Sequence, residues 1–94
     1  MRVRMYPVTD IGSLCDAVNQ RFDLQLEDYD LCGILFGEDY SNDCYKYFRF
    51  TGEYEQYEGF SWQRANDIDI RNKTKQYLRE QLPNDDRILI DVSW

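Results

Sequence analysis

The chain has 94 residues, 43% of them hydrophobic and 31% charged, with three cysteines, no histidine and a formal net charge of −7. That length suits one domain, residues 1–94, able to bury a core without covalent staples. The missing histidine excludes Ser–His and Cys–His nucleophile pairs and the commonest zinc sites, and no apolar stretch reaches the roughly 18 residues of a membrane span.

At the N-terminus Val3 and Met5 alternate with Arg2, Arg4 and Tyr6, the pattern of a half-buried strand that Pro7 closes. Thr9 or Asp10 is placed to cap a helix. Its apolar stripe is Ile11, Leu14, Cys15, Val18 and Phe22, and Gly12 weakens it. Residues 23–30 read as an acidic connection. The short apolar run LCGILFG, residues 31–37, has the length of a buried strand, and GEDYSND after it is turn chemistry.

Residues 44–62, CYKYFRFTGEYEQYEGFSW, read as a hairpin turning at Thr51–Gly52. A three-residue loop pairs Phe50 with Tyr54, Cys44 with Phe60, Lys46 with Glu58, Arg49 with Glu55 and Tyr47 with Tyr57, so rings meet rings and charges meet opposite charges. That register predicts a core face carrying Phe48, Phe50, Tyr54, Phe60 and Trp62, and a second face carrying Tyr45, Tyr47, Arg49, Glu55 and Tyr57. A second helix starts at Asn66–Asp67, buries Ile70, Thr74, Tyr77, Leu78 and Leu82, and stops before Pro83. Arg71, Lys73, Lys75 and Arg79 fall on its other sides and read as solvated. Alternating Ile88, Ile90 and Val92 make a last strand. The order β-α-β-β-β-α-β predicts an α+β two-layer sandwich, with two helices on one face of a mostly antiparallel sheet.

No GxGxxG or GxxxxGK[ST] motif is present, and the acid pairs lack the order of a calcium loop. We expect no catalytic residue, no metal and no cofactor. An odd cysteine count (Cys15, Cys32 and Cys44) without CxxC fits reduced thiols and a cytoplasmic protein. The charge is regional: Asp23, Glu27, Asp28, Asp30, Glu38, Asp39 and Asp43 fall between residues 22 and 45, where there is no base. Direct nucleic-acid binding needs Lys and Arg against phosphates and is disfavoured; a basic protein surface is favoured. A net charge of this size also serves solubility by itself. Tyrosine supplies large, rigid contact area at interfaces. The expected partner-binding residues are Asp28, Asp30, Glu38, Asp39 and Asp43 from the acidic region, and Tyr45, Tyr47, Glu55, Tyr57 and Glu58 from the hairpin.

In size, charge and aromatic content the chain resembles the small acidic inhibitors that phages and mobile elements use against restriction enzymes and CRISPR nucleases, some of which mimic DNA. The resemblance implies a target with a Lys/Arg-lined groove, such as a nuclease or another nucleic-acid enzyme, and blocking rather than turnover in the host cytoplasm. It implies no site residue. Two alternatives stand beside it: an antitoxin or immunity partner of one basic toxin, and an accessory domain that forms a homodimer through a tyrosine strand.

Overall fold

The computed structural model describes residues 6–37 and 45–92. The elements run β1 (Val8–Asp10), α1 (Ile11–Phe22), α2 (Asp28–Phe36), β2 (Tyr45–Arg49), α3 (Trp62–Gln81) and β3 (Arg87–Asp91). The α+β architecture is as expected. The sheet is mixed, however: its order is β1-β3-β2, with β3 central, parallel to β1 and antiparallel to β2. Ile88, Ile90, Val92, Phe48 and Phe50 point inward and join Ile11, Leu14, Val18, Leu31, Leu35, Ile70 and Leu78 in one core. Burial of this kind contributes about 1.5–3 kcal/mol per large side chain. Tyr45, Tyr47 and Val8 lie on the opposite, exposed face of the sheet.

α1 forms where its stripe predicts. Asp10 caps it, with Oδ2 accepting the Ser13 N–H at 2.9 Å and Oδ1 accepting the Ser13 hydroxyl at 2.7 Å. Asp23 ends it in the left-handed region at φ 56°, a conformation Asp tolerates better than most residues. Asn19 then holds the connection: its side-chain amide donates to the Leu26 carbonyl and accepts the Leu26 N–H, both at 2.9 Å.

Residues 31–37 are not the expected strand. They continue α2, whose first turn is made by the acids that read as a connection. Asp28 and Asp30 sit at the positive end of the helix dipole, and Asp30 accepts the Glu27 N–H at 3.3 Å. Gly37, at φ 73°, terminates it. Leu31, Cys32 and Leu35 are buried and Ile34 and Phe36 are packed against the core, so the helix is apolar nearly all round and its sequence carries no period.

The expected hairpin is also absent. β2 pairs with β3, in the register Tyr45↔Asp91, Lys46↔Ile90, Tyr47↔Leu89, Phe48↔Ile88 and Arg49↔Arg87. Gly52 turns the chain at φ 95°, and residues 53–60 run without regular structure. The physical reason is the last strand. Ile88 and Ile90 bury most area as a central strand, and that needs a neighbour on each side. Phe48 and Phe50 are buried as expected. Tyr54, Phe60 and Trp62, assigned to the core face by the hairpin, are exposed, Trp62 at 89%. Cys44, the other end of that hairpin, lies outside the described residues, as does most of the N-terminal strand predicted over residues 1–8.

α3 starts at Trp62 rather than Asn66, because Ser61 accepts the Arg64 N–H at 3.3 Å and caps it. Ile70, Thr74 and Leu78 are buried as the spacing predicts, and the helix ends at Gln81, before Pro83.

Candidate functional site

The basic residues of α3 are not a solvated face. Arg71 (2.9 Å) and Lys75 (3.6 Å) both pair with Glu55, and Lys75 is buried. Asn72 accepts the Glu55 N–H at 2.9 Å and donates to its carbonyl at 2.8 Å. Arg79 donates to the carbonyls of Phe50 (2.6 Å) and Gly52, and its guanidinium lies 4.5 Å from the Tyr54 ring centre. Together these contacts fasten residues 50–55 along the helix. Arg21 makes a two-pronged pair with Glu80 at 3.2 and 3.0 Å, and Lys73 pairs with Asp69 at 2.9 Å.

The acids behave differently. Asp16, Asp23, Asp28, Glu53 and Glu58 are exposed and outside any ion pair among the described residues. Internal pairing therefore neutralises many of the bases and leaves a negative field facing outward.

That field has a shaped focus. α2 packs against α3, and the cleft between them opens into a cavity of about 540 Å³ lined by Leu26, Tyr29, Asp30, Gly33, Ile34, Gln63, Asn66 and Asp67. Its lining holds two carboxylates and no cation. A Cβ built on Gly33 meets nothing within 4 Å, so this glycine leaves the floor open. Tyr29 is exposed on the rim, and Trp62, next to the lining residue Gln63, is almost fully exposed with Phe60. Further along, the cleft continues past Gly37, Arg64, Asp67 and Arg71 to Glu55.

The predicted site residues are distributed over three places. Asp30 lines the cleft and Asp28 stands in the same first turn of α2. Tyr45 and Tyr47 lie on the open face of the sheet. Glu55 is held by Arg71 and Lys75, Tyr57 is half-buried with its ring beside Gly59, and Glu58 is exposed. Glu38, Asp39 and Asp43 lie outside the described residues. Sequence reasoning missed Tyr29, Asp67, Gln63, Phe60 and Trp62. The acids before the apolar run, at helix-starting positions, were the signal for the first of these.

A further group of acids meets at α1. The Asp10 and Asp28 carboxylates each approach to 3.2 Å of where a Cβ on Gly12 would stand. Burial pushes the nearby Cys15 thiol up to about 11, with Asp28 and Asp16 adding to it, and its Sγ donates to the Leu26 carbonyl at 3.2 Å. Cys32 is likewise raised by burial. Such thiols are held protonated and inert at neutral pH. Among the described residues no group of three or more His, Cys, Asp and Glu side chains is arranged to hold a metal ion, and no helix is long and apolar enough to cross a membrane.

Compared with family models, curated proteins and solved structures, the chain has no significant match in any of the three.

Proposed function

We propose that the protein binds and blocks a basic nucleic-acid-binding enzyme, with the acidic α2–α3 cleft as the contact. The observation that carries this reading is the lining: Asp30 and Asp67 line one cavity whose own walls hold no cation, and Tyr29, which also lines it, is exposed. A Lys or Arg side chain of the partner fits there, with carboxylates as charge partners, Gln63 and Asn66 as acceptors, and Tyr29 as a cation–π platform. Exposed rings around it supply the contact area that dominates interface energetics. The outward negative field steers such a partner at long range. The partner's basic groove is the one that otherwise holds phosphates.

The test is a panel of restriction endonucleases and RNA-guided nucleases cleaving labelled duplex DNA in the presence of the protein. Asp30→Asn with Asp67→Asn removes both charges while keeping an oxygen at residue 30 to cap α2. Inhibition of a panel enzyme by the wild type, lost in this double variant and in Trp62→Ala, supports the reading. Inhibition that survives both changes overturns it, and so does a panel that the wild type leaves uninhibited.

A further inference from the structure

At one edge of the sheet the chain gathers bases instead of acids. Among the described residues β2 is an edge strand, paired with β3 on one side only. The Phe50 N–H donates to the Asp86 carbonyl at 3.1 Å, and the antiparallel register carries that alternation back along the strand. The amides of Lys46 and Phe48 therefore face β3, and those of Tyr47 and Arg49 face away from it. A cavity of about 340 Å³ adjoins the strand. Tyr47 and Arg49 from one face of β2, Phe48 from the other and Phe36 of α2 all line it, which puts it on the free side of the strand.

The polar lining of this cavity is cationic. Arg49, Arg71 and Lys75 stand in it with Thr51, and no carboxylate does. Among the described residues the one carboxylate that reaches these bases is Glu55, whose Oε1 is shared between Arg71 at 2.9 Å and Lys75 at 3.6 Å. One negative charge stands against three positive ones. Lys75 is only 8% exposed, and 3.6 Å is too long for a hydrogen bond, so a nearly buried ammonium keeps its donors for another acceptor. Arg49 makes no ion pair among the described residues. Its Nε donates to the Thr51 hydroxyl at 3.4 Å, and its neighbour across the ladder is another base, Arg87.

We propose that this cavity binds a small phosphate monoester carrying an aromatic group, such as a nucleoside monophosphate. The phosphate sits among Arg49, Arg71 and Lys75, its charge of about −2 at neutral pH matching what Glu55 leaves uncompensated. The outward Arg49 N–H is a further donor on the same side of the strand. The aromatic group lies against Tyr47, which is more than half exposed, and Phe36, whose ring meets Phe48 edge-on at 6.3 Å. Ligand pockets run from roughly 300 to 1,000 Å³, and a cavity at the small end of that range suits a ligand of this size. A nucleic-acid strand fits worse: its successive phosphates need a row of bases, and the chain as a whole carries a net charge of −7. The cavity shares Arg71 with the far end of the α2–α3 cleft, but its ligand does not depend on the proposed function.

The test is a titration of the whole isotope-labelled chain with adenosine monophosphate, followed through amide chemical shifts. The titration runs to about 5 mM, above the dissociation constant of ~1 mM or tighter that a ligand of this size supports. We expect saturable shifts at Tyr47, Arg49 and Thr51, competition by inorganic phosphate, and no saturation with adenosine. Arg49→Glu, at an exposed side chain outside the core, weakens binding by about tenfold or more, the loss of one charge-assisted hydrogen bond. Glu55→Gln frees Arg71 and Lys75 and tightens it. A wild type without saturable shifts, adenosine that binds as tightly as its monophosphate, or binding unchanged in Arg49→Glu overturns the proposal.

Discussion

Replacing Asn72 by Ala isolates the contact that fastens the irregular segment to α3. The side chain makes two hydrogen bonds, at 2.9 and 2.8 Å, to the N–H and carbonyl of Glu55. A hydrogen bond of this kind contributes a net 0.5–1.5 kcal/mol, roughly 1 on average, so the pair is worth about 2 kcal/mol. The site is only partly buried, and water replaces part of what is lost, which lowers the expected cost to about 1–2 kcal/mol. The loss is local, since the Arg71 and Lys75 pairs with Glu55 and the Arg79 contacts to Phe50 and Gly52 remain. Amide hydrogen exchange reads it directly: the Glu55 N–H loses its acceptor and exchanges about 5- to 30-fold faster, while amides in the middle of α3 change no more than the global stability does. If Glu55 keeps its wild-type protection in Asn72→Ala, the segment is held by something else and the account of this contact is wrong.

Asp10→Ala removes the cap of α1 and destabilises the protein by about 0.5–2 kcal/mol near neutral pH in a urea titration. The hydrogen bonds from Ser13 hold the Asp10 carboxyl below its ordinary value, so the cap's contribution is present above the unfolded carboxylate range and lost as pH falls through the folded value; the two proteins converge in acid. Cys15 works in the opposite direction. Its thiol is raised from 9.0 to about 11, so burial of the neutral form costs nothing below the unfolded value, and stability falls as pH rises from about 9 toward 11. Cys15→Ala reduces that alkaline slope and leaves the part that Cys32, also raised by burial, contributes, and native protein at pH 8 reacts with a thiol reagent at Cys15 only as fast as it unfolds.

What was legible in the sequence was what adjacent residues decide. The α1 stripe, the Asp10 cap, the Pro83 stop, the buried face of α3 and the alternation of Ile88, Ile90 and Val92 each follow from spacing within one or two turns. α2 was misread because LCGILF is apolar on nearly every side, and a run without a polar face has no period to distinguish helix from strand. The hairpin failed for a different reason. Its internal pairings were chemically sound, but Phe48 has a better neighbour in Ile88, far along the chain, and tertiary burial overrides local pairing. That single change reassigned Tyr54, Phe60 and Trp62 from core to surface. It also put Glu55 on α3, where Arg71 and Lys75 became its partners instead of a solvated face. The cleft was half visible: Asp28 and Asp30 were chosen for charge, whereas Asp67 and Gln63 join them only because α2 is a helix lying against α3. Tyr45 and Tyr47 were correctly expected on an exposed face, for which alternation along one strand suffices.

The most direct test of basic-partner binding through the cleft is calorimetric titration of the protein into an enzyme it inhibits, with and without saturating duplex DNA. The account predicts that DNA-loaded enzyme does not bind, and that affinity for the free enzyme falls about tenfold or more between about 50 and 300 mM salt as the charge attraction is screened. Binding that persists on the DNA-loaded enzyme and is indifferent to salt contradicts it.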